Sequence, residues 1–143
     1  MKLQVYSRSR NRERVITDLA GYFAGVLNLG RSRKTLSIFM VPRLRKNTGD
    51  MGRTVKPDDD NIAILLDSRL SDENMLVTLA HEMVHVRQLA RGQLKPGAYG
   101  RSAGYWIWRG RQVNDKGLFP PWEQAAYRME GLLVAQLKAD LAR

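Results

Sequence analysis

Apolar residues recur at three- and four-residue spacing in three stretches of the chain, with shorter, denser apolar runs between them. In the first stretch, Val15, Ile16, Leu19, Tyr22, Phe23, Val26 and Leu27 line one stripe, which predicts an amphipathic helix over residues 11–29. Gly21 and Gly25 share a face of that helix and are expected to admit a close neighbour, with Gly30 as the stop signal. Thr35–Val41 is rich in strand-forming residues and bounded by Pro42, so it reads as a strand. Ile62–Leu66, almost continuously apolar, reads as a second. The segment between them, Arg43–Asp60, is polar, contains Gly49, Gly52 and Pro57, and reads as a loop or loose hairpin. Its Asp58-Asp59-Asp60 run lacks the alternating spacing of a calcium loop, which favours a solvated turn.

A long helix is predicted from Asp72 to about Arg91. Ser71 is a good N-cap, Asp72 and Glu73 complement the helix dipole, and Gly92 ends it. Leu76, Leu79, Ala80, Met83 and Ala90 give it an inner face, while Thr78, His81, Glu82, His85 and Gln88 turn toward a cleft. Residues 92–121 are rich in glycine and aromatics, with Tyr105–Arg109 as a strand. Pro120 and Pro121 lead into a last helix, Trp122 to about Leu141, striped by Trp122, Ala125, Ala126, Met129, Leu132, Leu133 and Leu137. The order of elements predicts one α+β domain spanning residues 1–143.

Composition narrows the chemistry. The 143 residues include no cysteine, which excludes thiolate metal sites, redox motifs and cysteine nucleophiles and fits a cytoplasmic protein. The first 14 residues lack the apolar core of a signal peptide, and no apolar run approaches the ~20 residues that span a bilayer, so no membrane association is expected. The net charge is +10, and all of it lies in residues 1–56, where 13 Lys/Arg face only Glu13, Asp18 and Asp50. A basic excess of this kind attracts nucleic acid or other polyanions, although a plain solubilising surface also accounts for it.

The chain has two histidines, four apart, with a glutamate directly after the first. Four residues are just over one helical turn, so His81 and His85 project from the same face and can share one Zn²⁺. Glu82, rotated ~100° from His81, stands where a base takes a proton from a water activated by the metal. A catalytic zinc takes three protein ligands, and with no further histidine or cysteine the third must be a carboxylate or be missing. Glu123 is the first choice because Pro120-Pro121-Trp122 fixes its position at the start of a helix; Glu130 and Asp115 are the alternatives. Trp106, Trp108 and Trp122 are core residues, pocket walls or stacking platforms for bases.

These residues resemble the HExxH zincin metallopeptidases, and among them the small gluzincin-like and SprT-like proteins of bacteria and phages. The resemblance rests on His81-Glu82-Met83-Val84-His85-Val86-Arg87-Gln88 and Pro121-Trp122-Glu123-Gln124-Ala125-Ala126-Tyr127. It implies a compact zincin-like domain built as an N-terminal helix, a small mixed sheet, a motif helix and a C-terminal ligand helix. It also implies peptide hydrolysis with one zinc, Glu82 as general base, and an oxyanion donor for which Tyr127, Tyr105 and Arg101 are the candidates. Ile62–Leu66 resembles the edge strand along which such enzymes lay a peptide substrate. The chain departs from SprT proteins in lacking a third histidine and a Cys-rich ribbon. It departs from larger gluzincins in carrying Tyr127 where their Glu-x-x-x-Asp pattern has the aspartate, so the outer support of one histidine must come from elsewhere. The rival readings are a nucleic-acid-associated protein with a structural zinc and a hydrolase of a non-protein amide such as a peptidoglycan cross-link.

Overall fold

The computed structural model describes residues 1–96, 105–114 and 119–143. The chain is α+β and runs β1 (Lys2–Tyr6), α1 (Arg10–Val26), β2 (Thr35–Val41), α2 (Leu44–Thr48), β3 (Gly52–Val55), β4 (Asn61–Asp67), α3 (Asp72–Ala90), β5 (Leu94–Pro96), β6 (Tyr105–Trp108), β7 (Arg111–Asn114) and α4 (Pro121–Leu141). One mixed sheet has the order β1-β2-β4-β3, with β1, β2 and β4 parallel and β3 antiparallel to β4. The second sheet is antiparallel, β5-β6-β7.

The main sheet is covered by helices on one face. Alternation places Leu36 and Ile38 of β2 and Ile62, Ile64 and Leu66 of β4 in the core, with Ile16, Phe23 and Leu27 of α1 and Leu79 and Met83 of α3. The other face carries the stacked pair Tyr6 and Phe39, centroids 4.9 Å apart and both partly solvated. α4 lies along α3 and reaches back to α1, where the Tyr22 hydroxyl donates to Asp140 at 2.6 Å.

Several expectations change here. The polar N-terminus contains a strand, β1, whose residues Leu3 and Val5 pair with Leu36 and Ile38; a five-residue edge strand leaves too short an alternation to detect. α1 ends before Gly30, because Asn28 adopts the left-handed conformation (φ 62°) and closes a Schellman motif through Asn28 N–H to Gly25 C=O and Leu29 N–H to Ala24 C=O. Among the described residues nothing comes within 4 Å of a Cβ built on Gly21 or Gly25, so none of them is the close neighbour expected there. β4 is not an edge. It lies between β2 and β3, and the edge belongs to β3, from the stretch read as a loop or loose hairpin.

Other elements agree. Ser71 caps α3 by accepting from Asn74 N–H, and Gly92 (φ 68°) ends it as expected. Asp58 accepts from the backbone of Asp60 and Asn61, making the acidic run a turn. No helix among the described residues is long and apolar enough to cross a membrane.

Candidate metal centre

α3 holds its polar residues in an unusual setting: His81, Glu82, His85 and Gln88 are all buried, although the helix packs its apolar side into the core. Buried polar groups cost free energy unless paired, and each of these has a partner from another turn or element.

His85 is the best determined. The Gln88 amide nitrogen donates to the Trp122 carbonyl at 3.0 Å, which turns Gln88 Oε1 toward His85 Nδ1 at 2.8 Å. Because that oxygen only accepts, Nδ1 must carry the proton, and Nε2 presents its lone pair. His81 Nε2 lies 3.2 Å from His85 Nε2. On the far side of the His81 ring, Nδ1 is buried without a full hydrogen bond, 3.4 Å from Glu130 Oε1. Outer support of the kind that Tyr127 cannot give therefore comes to His85 from Gln88, while Glu130 is the carboxylate that faces His81 Nδ1.

Glu123 opens α4 after a Pro120 N-cap and Pro121 at the first helical position, a rigid start that needs no side-chain cap. Its two oxygens meet the two imidazoles: Oε2 is 3.5 Å from His81 Nε2, and Oε1 contacts His85 Nε2. The donor atoms of His81, His85 and Glu123 all lie within 4.8 Å of one another, and the group can hold a metal ion. Tetrahedral ligands on zinc bonds of ~2.0–2.1 Å stand about 3.3 Å apart, close to the 3.2 and 3.5 Å separations on either side of His81 Nε2. Two neutral imidazoles and one carboxylate, each imidazole backed by an acceptor at Nδ1, also form the donor set a catalytic zinc uses.

The electrostatics are those of a packed ionisable cluster. Burial alone would raise the Glu123 carboxyl, but hydrogen bonds and charge from His81 and His85 outweigh it and pull the pKa down to about 2. Burial works to lower both histidines, yet hydrogen bonds to the accepting Glu123 carboxylate and the charges of Glu82 and Glu123 carry them above their ordinary value. Glu82 moves the other way. Burial raises its pKa against the pull of His85, His81 and the Thr54 hydroxyl, which donates to Oε1 at 2.9 Å.

A cleft of about 650 Å³ opens over this cluster. One wall is the β3 edge, with Gly52, Arg53 and Thr54; the other is aromatic, with Trp106, Trp122 and Tyr127. Trp106 and Trp108, two apart on β6, share a face and pack on Trp122 at centroid distances of 5.9 and 6.3 Å. Tyr127 is half-exposed rather than a core residue, and its ring lies 4.5 Å from that of His81. Burial and the nearby Glu123, Glu130 and Glu82 raise its pKa, so the phenol stays protonated. Tyr105 opens β6; its side chain, Arg101 and Asp115 lie outside the described residues.

Two contributors carried no signal in the sequence. Thr54 comes from the stretch read as a loop. Gly52 is a glycine because β3 crosses α3 so closely that an added Cβ would stand 2.6 Å from Thr78 Cγ2 and 3.1 Å from Glu82 Cγ. Glu130 was a fallback ligand and is instead a partner of His81. Its spacing of seven from Glu123 put it on the same stripe of α4.

Comparison of the chain with protein-family models, with curated proteins and with solved structures returns no match. The functional reading therefore rests on the residues themselves.

Proposed function

We propose that the chain is a zinc-dependent peptide-bond hydrolase of the small gluzincin-like kind. The observation that carries this reading is the convergence of His81 Nε2, His85 Nε2 and the Glu123 carboxylate, with the buried carboxylate of Glu82 beside them in an open cleft. His81, His85 and Glu123 would hold the ion. When bound, zinc supplies a Lewis acid that polarises a carbonyl and makes water nucleophilic near neutral pH.

The remaining work falls to the chain's own side chains. Glu82 accepts a proton from water in the cleft and returns it to the departing amine. Burial holds its pKa above the ordinary carboxylate value, which makes it a stronger base than an exposed glutamate. Thr54 fixes the carboxylate by its hydrogen bond to Oε1. Tyr127, protonated and at the cleft wall, is the donor suited to an oxyanion. Gln88 holds the His85 imidazole in the ligating tautomer, and Glu130 stands beside His81 Nδ1.

A peptide substrate is favoured by the β3 edge. Among the described residues β3 pairs only with β4, so its outer edge offers backbone groups to an extended chain along the cleft. A structural zinc site has no use for a buried base beside its ligands, which disfavours that alternative. The decisive experiment is Glu82→Gln: metal content should stay at wild-type level while cleavage of a casein or peptide-library substrate falls about 10²–10⁴-fold. Unchanged cleavage in that variant, or none by the wild type on any amide tested, would remove the proposal.

A further inference from the structure

A second cavity, of about 480 Å³, lies outside the metal cleft and is lined by the cations Arg43, Arg45, Lys46 and Arg69, by one acid, Asp67, and by Leu70, Ser71 and Asn74. Its origin is topological. β1, β2 and β4 are parallel neighbours, so their carboxyl ends emerge at one edge of the sheet, the edge where open parallel sheets bind ligands. The chain places cations directly after each of those ends: Arg8 and Arg10 after β1, Arg43, Arg45 and Lys46 after β2, and Arg69 after β4. All six are exposed.

Asp67, the last residue of β4, fastens two of these loops together. One of its oxygens accepts from the Arg45 backbone N–H at 2.7 Å and the other from Arg69 N–H at 2.8 Å. None of the four cations lining the cavity forms an ion pair among the described residues, whereas Arg12 pairs with Asp72 and Arg53 with Asp50. Exposed like charges held side by side repel, and an arrangement that keeps them unpaired suits an anionic partner. No aromatic ring lines the cavity, so nothing there stacks on a base, and the cations continue past its rim along the sheet edge.

We propose that this edge binds the phosphodiester backbone of nucleic acid without regard to base sequence. The site is independent of the hydrolase reading, although Arg45 lines both cavities and makes them neighbours.

The test compares two double variants of the full chain that lose equal charge. Lys46→Gln/Arg69→Gln strips the proposed edge; Arg31→Gln/Arg33→Gln strips the opposite edge, just before β2. The side chains of Lys46 and Arg69 make no hydrogen bond or ion pair among the described residues, so both proteins should melt like the wild type. Binding to a fluorescein-labelled DNA duplex of random sequence is followed by anisotropy across a salt titration. The first variant should lose roughly tenfold in affinity, with a log–log salt slope shallower by about 1.8, while the second stays within about threefold of wild type. Equal losses in both variants would reduce the site to diffuse net charge. A wild type that ignores DNA, or prefers vesicles of anionic lipid to it, would also overturn the proposal. Metal content, measured alongside, should be the same in all three proteins.

Discussion

The metal cleft and the basic edge meet at Arg45, yet they handle charge in opposite ways. In the cleft, His81, Glu82 and His85 are buried, and the half-buried Glu123 sits against both histidines. His81, Glu82, His85 and Glu123 are each opposed by another ionisable group from a different turn or element. At the edge, Arg43, Arg45, Lys46 and Arg69 are exposed and without ion pairs among the described residues. The cleft depends on distances of a few tenths of an ångström in low dielectric, where a misplaced group is costly. The edge depends on a summed field that salt screens and that tolerates side-chain motion. Single substitutions should therefore act sharply in the first region and gradually in the second.

The largest contrast is in metal retention. Glu123→Ala should release the ion and with it all hydrolysis, whereas removing two edge cations should leave metal stoichiometry unchanged; elemental analysis of the purified proteins checks both. Next comes Gln88→Ala, which frees the His85 ring and unlinks α3 from the Trp122 carbonyl. Zinc affinity should weaken by about 10–100-fold in a competition titration with a chelating dye. If Gln88→Ala binds zinc as tightly as wild type, the support assigned to the outer hydrogen bonds is wrong.

Gly52→Ala probes how close β3 stands to α3. The added methyl must displace Thr78 or Glu82, so denaturant melts should show a loss of about 2–3 kcal/mol, with reduced turnover in whatever folds. The smallest effect belongs to Asp67, whose pKa is held down by backbone N–H bonds from Arg45 and then Arg69. A depressed carboxyl contributes stability above its unfolded value of ~3.9 and loses it as the pH falls toward the folded value. Asp67→Asn should cost about 1–2 kcal/mol at neutral pH, because one of the two N–H groups loses its acceptor. Its melting temperature should then change less than that of the wild type as the pH falls below about 4.

Much of the architecture was legible because long amphipathic helices announce themselves. The stripes of α1, α3 and α4, the Ser71 cap and the Gly92 stop follow from residue spacing and local backbone chemistry. The pairing of His81 with His85 was equally local, a matter of one helical turn. The lack of cysteine and of a third histidine left carboxylates as candidates for a third ligand, and the rigid Pro120-Pro121-Trp122 entry singled out Glu123 among them. Short strands were harder. β1, β3, β5 and β7 each have five residues or fewer, too few for alternation to stand out from loop.

What the sequence determined by itself was the local part: which segments are helical, which two imidazoles share a face, and that the positive charge is concentrated before residue 57. Only the tertiary structure decided that β3 rather than β4 is the edge over the cleft, that Thr54 orients Glu82, and that Glu130 and Gln88 back the histidines. It alone decided that cations far apart in sequence share one rim of the sheet. The reason is physical: helical neighbours are fixed by a period of 3.6 residues, whereas strand order and cross-element contacts depend on how the whole core packs.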